Sequence, residues 1–117
     1  MYGITSNFFT PMTTRDFDNI IASHRLTLIV FQASWCGACR AIDPALERLS
    51  LAMGDSLALF RIDIDKIATR EVVRRYNIVS VPTLLLFSRG KLLWRESGVV
   101  SFEKLRLVIR RHQFVFV

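Results

Sequence analysis

The chain has 117 residues, of which 51% are hydrophobic and 22% charged, and its formal net charge is +6. That length and apolar content suit one domain with its own core. They exclude a disordered chain. Two cysteines do not make a disulfide scaffold, and no run reaches the ~18 apolar residues of a membrane span.

Residues Met1 to Phe17 lack an early basic cluster and an apolar run of signal-peptide length. The expectation is a cytoplasmic protein, or a periplasmic one if a leader has been removed. Charge is uneven: residues 1–65 carry five Arg against six Asp and one Glu, and residues 66–117 carry eleven Lys or Arg against three Glu. Such asymmetry fits either a solvated basic surface or a face for an acidic protein partner. No nucleic-acid-binding motif is present, so no nucleic acid is expected as a partner.

Thr13-Thr14 before Arg15-Asp16-Phe17 offers an N-cap for a helix in which Phe17, Ile20 and Ile21 recur at helical spacing, ending near Ser23. Leu26 to Phe31 is a continuous β-type apolar run, which predicts a strand buried on both faces. After Ser34-Trp35-Cys36-Gly37-Ala38-Cys39-Arg40, the residues Ile42, Ala45, Leu46, Leu49 and Met53 form a helical stripe. Pro44 should kink this helix and Gly54-Asp55 should end it. Leu57 to Ile64 predicts a second strand.

Lys66 to Tyr76 predicts a helix with Lys66, Arg70 and Arg74 on one stripe and Ile67, Val72, Val73 and Tyr76 packed inward. Val81-Pro82-Thr83 leads into a strand over Leu84–Phe87. Ser88-Arg89-Gly90 is a turn signal, and Lys91–Ser97 returns until Gly98. Ser101 caps a last helix with Leu105, Val108 and Ile109 on its apolar side. Its Arg106 and Arg110 would join Arg70 and Arg74 in one basic surface only if both helices lie on the same face. The tail Phe114-Val115-Phe116-Val117 is expected on the domain edge, or against a partner. An order of helix, strand, helix, strand, helix, strand, strand, helix implies an α/β fold with a central sheet covered on both faces.

Cys36 and Cys39 stand at i and i+3 between a strand and a helix. Structural zinc needs about four ligands. The only histidines, His24 and His112, are far apart in sequence, so no metal is expected. Dithiol–disulfide exchange suits the pair better. Cys36 would begin the helix, where free N–H groups and the dipole favour a thiolate. Cys39 would lie one turn deeper as the resolving thiol. Gly37 would allow a tight turn, and Trp35 would shield the sulfur and offer an apolar contact.

Trp35-Cys36-Gly37-Ala38-Cys39 resembles the active site of the thioredoxin family. The resemblance runs from about Phe17 to Ile109. Phe31 and Ala33 match the run before the motif, and Pro44 matches the kinking proline. Pro82 in Val81-Pro82-Thr83 matches a cis-proline whose preceding backbone pairs with substrate, and Gly98 matches a glycine of the substrate groove. The resemblance implies a thioredoxin fold over residues 1–117 as a single domain, with a mixed five-stranded sheet and four helices. It implies a protein-disulfide reductase that needs no cofactor beyond the Cys36–Cys39 pair. Its partners would be protein disulfides and a dithiol donor, either a flavoprotein reductase or a membrane electron relay.

Four departures stand out. Ala38 replaces the usual proline, which shifts the dithiol–disulfide balance and leaves a disulfide oxidase or isomerase as an alternative. A redox-switched binding module using the basic half is another. Gln32 replaces a tryptophan, and Arg61 replaces a lysine beneath the site. Val30 replaces a buried aspartate that the family uses to deprotonate the second cysteine. Asp43, at i+4 from Cys39, is expected to take that task directly or through water; otherwise it faces solvent beside the stripe of Ile42, Leu46 and Leu49.

Overall fold

A computed structural model of the chain describes residues 13–113. Four β-type runs within them become four strands: β1 (Thr27–Gln32), β2 (Ala58–Asp63), β3 (Thr83–Ser88) and β4 (Lys91–Ser97). They form one sheet in the order β2-β1-β3-β4. β1 and β2 are parallel, so a helical crossover joins them; β3 runs antiparallel to β1 and to β4. The fifth strand implied by the resemblance is not found among the described residues, because residues 13–113 hold no fifth β-type run. The apolar tail after Gln113 lies outside the described residues.

Alternation along the two central strands divides the core. Leu28, Val30, Leu84 and Leu86 face one cluster, and Ile29, Phe31, Leu85 and Phe87 face the other. Helices α3 (Asp43–Met53) and α5 (Phe102–His112) cover the first face with Leu46, Leu49, Leu105 and Ile109. Helices α1 (Thr14–Ser23) and α4 (Arg70–Arg75) cover the second with Phe17, Ile21 and Val72. Arg70 and Arg74 therefore lie on the opposite side of the sheet from Arg106 and Arg110. The two basic stripes do not merge.

Local signals explain most helix ends. Thr13 caps α1 in a reciprocal box: its hydroxyl accepts from the Asp16 N–H at 3.1 Å, and its own N–H donates to the Asp16 carboxylate. Asp18 pairs with Arg75 at 2.6 Å and Thr14 donates to Glu71 at 3.0 Å, which ties α1 to α4. Ser101 caps α5 by accepting from the Lys104 N–H. Gly54, at φ 54°, ends α3.

Two helices differ from expectation. Pro44 lies in the first turn of α3, where its missing N–H costs nothing, and the predicted kink is a break between α2 (Gly37–Ala41) and α3. The predicted Lys66–Tyr76 helix divides into a 3₁₀ turn over Ile67–Thr69 and the short α4. Three residues per turn rotate Ile67 off the face of Val72, so Ile67 is 79% exposed rather than packed inward. The buried Thr69 hydroxyl holds this turn through the carbonyls of Asp63 and Lys66.

Candidate active site

β1 ends at Gln32, and a turn closed by the Cys36 N–H to the Ala33 carbonyl carries the chain to α2. Cys36 is the N-cap of α2. Its sulfur accepts the Cys39 N–H at 3.1 Å, one of the donors a helix start leaves unpaired. From the other side the Cys36 thiol lies 3.6 Å from the Val81 carbonyl, to which it donates. Both cysteines are free thiols. They pack with Ala33 in a small cluster against Ile64 and Val81.

The two thiols differ less in exposure than their positions suggest, at 6% for Cys36 and 4% for Cys39. What separates them is environment. Burial is the largest influence on the Cys39 thiol, followed by its hydrogen bond with Cys36. Together with the charges of Cys36 and Asp43, these push its pKa up to about 11, against a smaller opposing effect of the Ala33 backbone.

Val81–Pro82 is a cis peptide, as the resemblance implies. The Pro82 carbonyl accepts from the Gly98 N–H at 2.8 Å, which brings Gly98 beside the cis-proline. Gly98 sits at φ 101°, a backbone conformation that other residues rarely adopt. Gly37 differs: it has no positive φ, and a Cβ there would meet nothing within 4 Å. No tight turn needs it, and its open space faces out beside the exposed Ala38.

Trp35 is 66% exposed, and its indole N–H donates to Asp65 at 2.8 Å. Ile67, Val79 and Val99 are exposed aliphatic residues on the segments that carry Asp65, Val81 and Gly98. The helical period places Ile67 inward, and Val79 and Val99 carry no signal because an exposed aliphatic residue in a loop has no period. Nothing in the sequence links Asp65 to Trp35, 30 positions earlier.

Beneath the pair, Val30 is fully buried in the first core and stands opposite Arg61 on β2. The Arg61 side chain is 11% exposed; it pairs with the Asp43 carboxylate and donates to the Gln32 amide oxygen at 3.4 Å. Asp43 is neither buried nor free, being 41% exposed and held by Arg61. Among the described residues no group of three or more His, Cys, Asp or Glu is placed to hold a metal ion, and no helix is long and apolar enough to cross a membrane.

Two thiols at the head of a helix, one capping it and facing the carbonyl before a cis-proline, define the thiol–disulfide oxidoreductase class. The thioredoxin family model matches residues 8–111, and the chain belongs to that family. A thioredoxin of Bacillus subtilis is 36% identical over 90 residues, which cover 77% of this chain and 85% of that one. The X-ray structure of Fasciola hepatica thioredoxin matches with a TM-score of 0.75 at 32% identity, covering 86% of this chain and 94% of that one. A bifunctional thioredoxin reductase/thioredoxin of Mycobacterium leprae is 32% identical over 82 residues, 70% of this chain and 18% of that protein. The protein is a thiol–disulfide oxidoreductase that reduces protein disulfides.

Proposed function

We propose that Cys36 is the attacking thiol and Cys39 the resolving one. The observation that carries this assignment is the placement of the Cys36 sulfur, which takes a helix N–H from Cys39 and faces the Val81 carbonyl. A positive helix end stabilises negative charge on that sulfur. The Cys36 thiolate attacks one sulfur of a substrate disulfide. That S–S bond breaks, a mixed disulfide forms, and the departing sulfur takes up a proton. Cys39 then gives up its proton and attacks the Cys36 sulfur, releasing the second substrate thiol. Two electrons pass to the substrate, and the chain is left with a Cys36–Cys39 disulfide. The pair carries both electrons, so the exchange needs no cofactor.

Val81, Pro82 and Gly98 form the docking backbone, with Trp35 beside it as an apolar contact. Gly37 and Ala38, next to Cys36, are exposed at the start of α2. Arg61 holds Asp43, and Asp43 accepts the Cys39 proton, the task that Val30 cannot perform. A dithiol donor restores the pair. A flavoprotein reductase is the favoured donor, since the Mycobacterium leprae relative joins a thioredoxin reductase and a thioredoxin in one chain. The cytoplasm suits this cycle because thiols are kept reduced there. Any acidic partner would meet the basic residues of α4 or of α5, not both at once.

Turbidity from insulin reduction, driven by dithiothreitol, measures the activity. Cys39→Ser should trap mixed disulfides on Cys36, and Cys36→Ser should trap none. Faster alkylation of Cys39 than of Cys36 at neutral pH would reverse the assignment. A reduction potential well above that of a reducing thioredoxin would move the reading to a disulfide oxidase or isomerase, the direction in which Ala38 points.

A further inference from the structure

The segment from Tyr76 to Pro82 joins α4 to β3 and carries the groups that oppose Cys36. Val79 on it is 81% exposed, and the Val81 carbonyl faces the sulfur. β4 holds this segment at three points. The Gly98 N–H just beyond the strand donates to the Pro82 carbonyl. The Ser97 hydroxyl bonds at 2.8 Å to the Thr83 hydroxyl, which donates to the Ser80 carbonyl at 2.7 Å. Arg95 donates from both arms of its guanidinium, to the Tyr76 carbonyl and to the Asn77 carbonyl at 2.9 Å. Those carbonyls follow the last turn of α4, where a helix leaves acceptors unpaired and a cation is favoured. Asn77 itself sits at φ 51°.

A bulge aims Arg95 there. Leaving the turn, Ser88 pairs with Lys91 and Phe87 with Leu92, but Leu86 pairs with Trp94, so Leu93 is an extra residue. Unbroken pairing would set Arg95 opposite Leu84, on the face of the first core. The bulge sets it opposite Leu85, on the face that α4 covers. Both Leu93 and Trp94 pack against the first core, as an added residue requires.

We infer that Arg95 is a positioning residue for protein substrates: its two-armed bond to the Tyr76 and Asn77 carbonyls fixes the start of the loop that presents Val79, Val81 and Pro82 to a bound chain. The inference rests on the reading of that loop as the docking backbone. Arg95 touches neither thiol, so its loss alters where a protein substrate docks and leaves the chemistry of Cys36 alone. A substrate too small to use the loop should not register the change.

The test compares wild type, Arg95→Ala and Arg95→Lys in dithiothreitol-driven reduction of insulin and of hydroxyethyl disulfide, with thermal unfolding measured on each. In Arg95→Ala the insulin KM should rise about tenfold, the size of the ordering cost that a loosened loop pays on binding, with kcat held within about twofold. Hydroxyethyl disulfide should be reduced at the wild-type rate. Arg95→Lys keeps the charge without the fork and should fall between. An unchanged insulin KM, or an equal loss on both disulfides, would overturn the inference. If Arg95→Ala does not fold, Arg95→Lys decides, and a wild-type insulin KM in it overturns the inference. Failure of wild type to reduce either disulfide would instead count against the dithiol assignment.

Discussion

At Cys39 the proton is the obstacle to the second half of the reaction. In the free dithiol, burial and the Cys36 hydrogen bond raise its pKa to about 11; once Cys36 is tied up in the mixed disulfide, burial and the Asp43 charge still disfavour the thiolate. Asp43 bears on this in two opposed ways. As a nearby negative charge it disfavours the thiolate, and as a proton acceptor it would help form it. Asp43→Asn separates the two. Loss of a base should slow the resolving step by roughly a hundredfold while leaving the attack by Cys36 unchanged. Loss of a mere charge should lower the Cys39 pKa and speed that step. Stopped-flow measurement of mixed-disulfide decay reads the sign directly. The thiolate fraction grows as pH rises toward the pKa, so decay in the slow variant should accelerate with alkali. Arg61→Gln should weaken the effect of Asp43 without removing it, because Arg61 only holds the carboxylate.

Elements here are set by their ends as much as by their faces. α1 begins where Thr13 and Asp16 exchange hydrogen bonds, and its inner face delivers Phe17 and Ile21 to the core. Thr13→Ala should cost about 1 kcal/mol, seen as a lower midpoint in urea unfolding with an unchanged slope. The active-site helix is divided at Ile42, which leaves α2 only five residues, with Cys36 as its N-cap and Cys39 inside it. Pro44 makes the division cheap by occupying a position that needs no N–H bond. In β4 the bulge at Leu93 has the opposite origin. No Gly or Pro marks it, and it arises because Leu93 and Trp94 both find apolar contact on the same face.

Across the molecule, two layers of helices enclose a sheet whose central strands are buried on both sides. Phe17 lies at the middle of the second layer, edge-on to Phe87 at 5.8 Å and tilted against Tyr76 at 5.6 Å. Phe17→Ala should destabilise the fold by about 3–5 kcal/mol, measurable as a large drop in Tm. Tyr76 begins the docking loop, so the same variant should also lower affinity for insulin. The basic half of the chain is split by the sheet into stripes on opposite faces. Raising salt should therefore change insulin reduction by no more than about threefold, since no single field spans the surface.

Sequence alone determined the four strands, the capped helices, the division of apolar residues between two faces and the redox pair. Each of these follows from short-range rules: alternation, helical period, capping residues, and two thiols one turn apart ahead of a helix. The cis-proline was legible only through resemblance, because nothing local distinguishes Val81-Pro82 from a trans turn. Tertiary structure alone decided which distant groups meet. It brought Asp65 to Trp35, Arg61 to Asp43, and Arg95 to the carbonyls after α4. It also turned Ile67 outward and set the basic stripes apart. Those outcomes depend on strand register, on one bulge, and on a 3₁₀ turn that rotates a helix face. A change of one residue in register reverses which side a chain presents, and that choice is made by packing across the sheet rather than by neighbours in the chain.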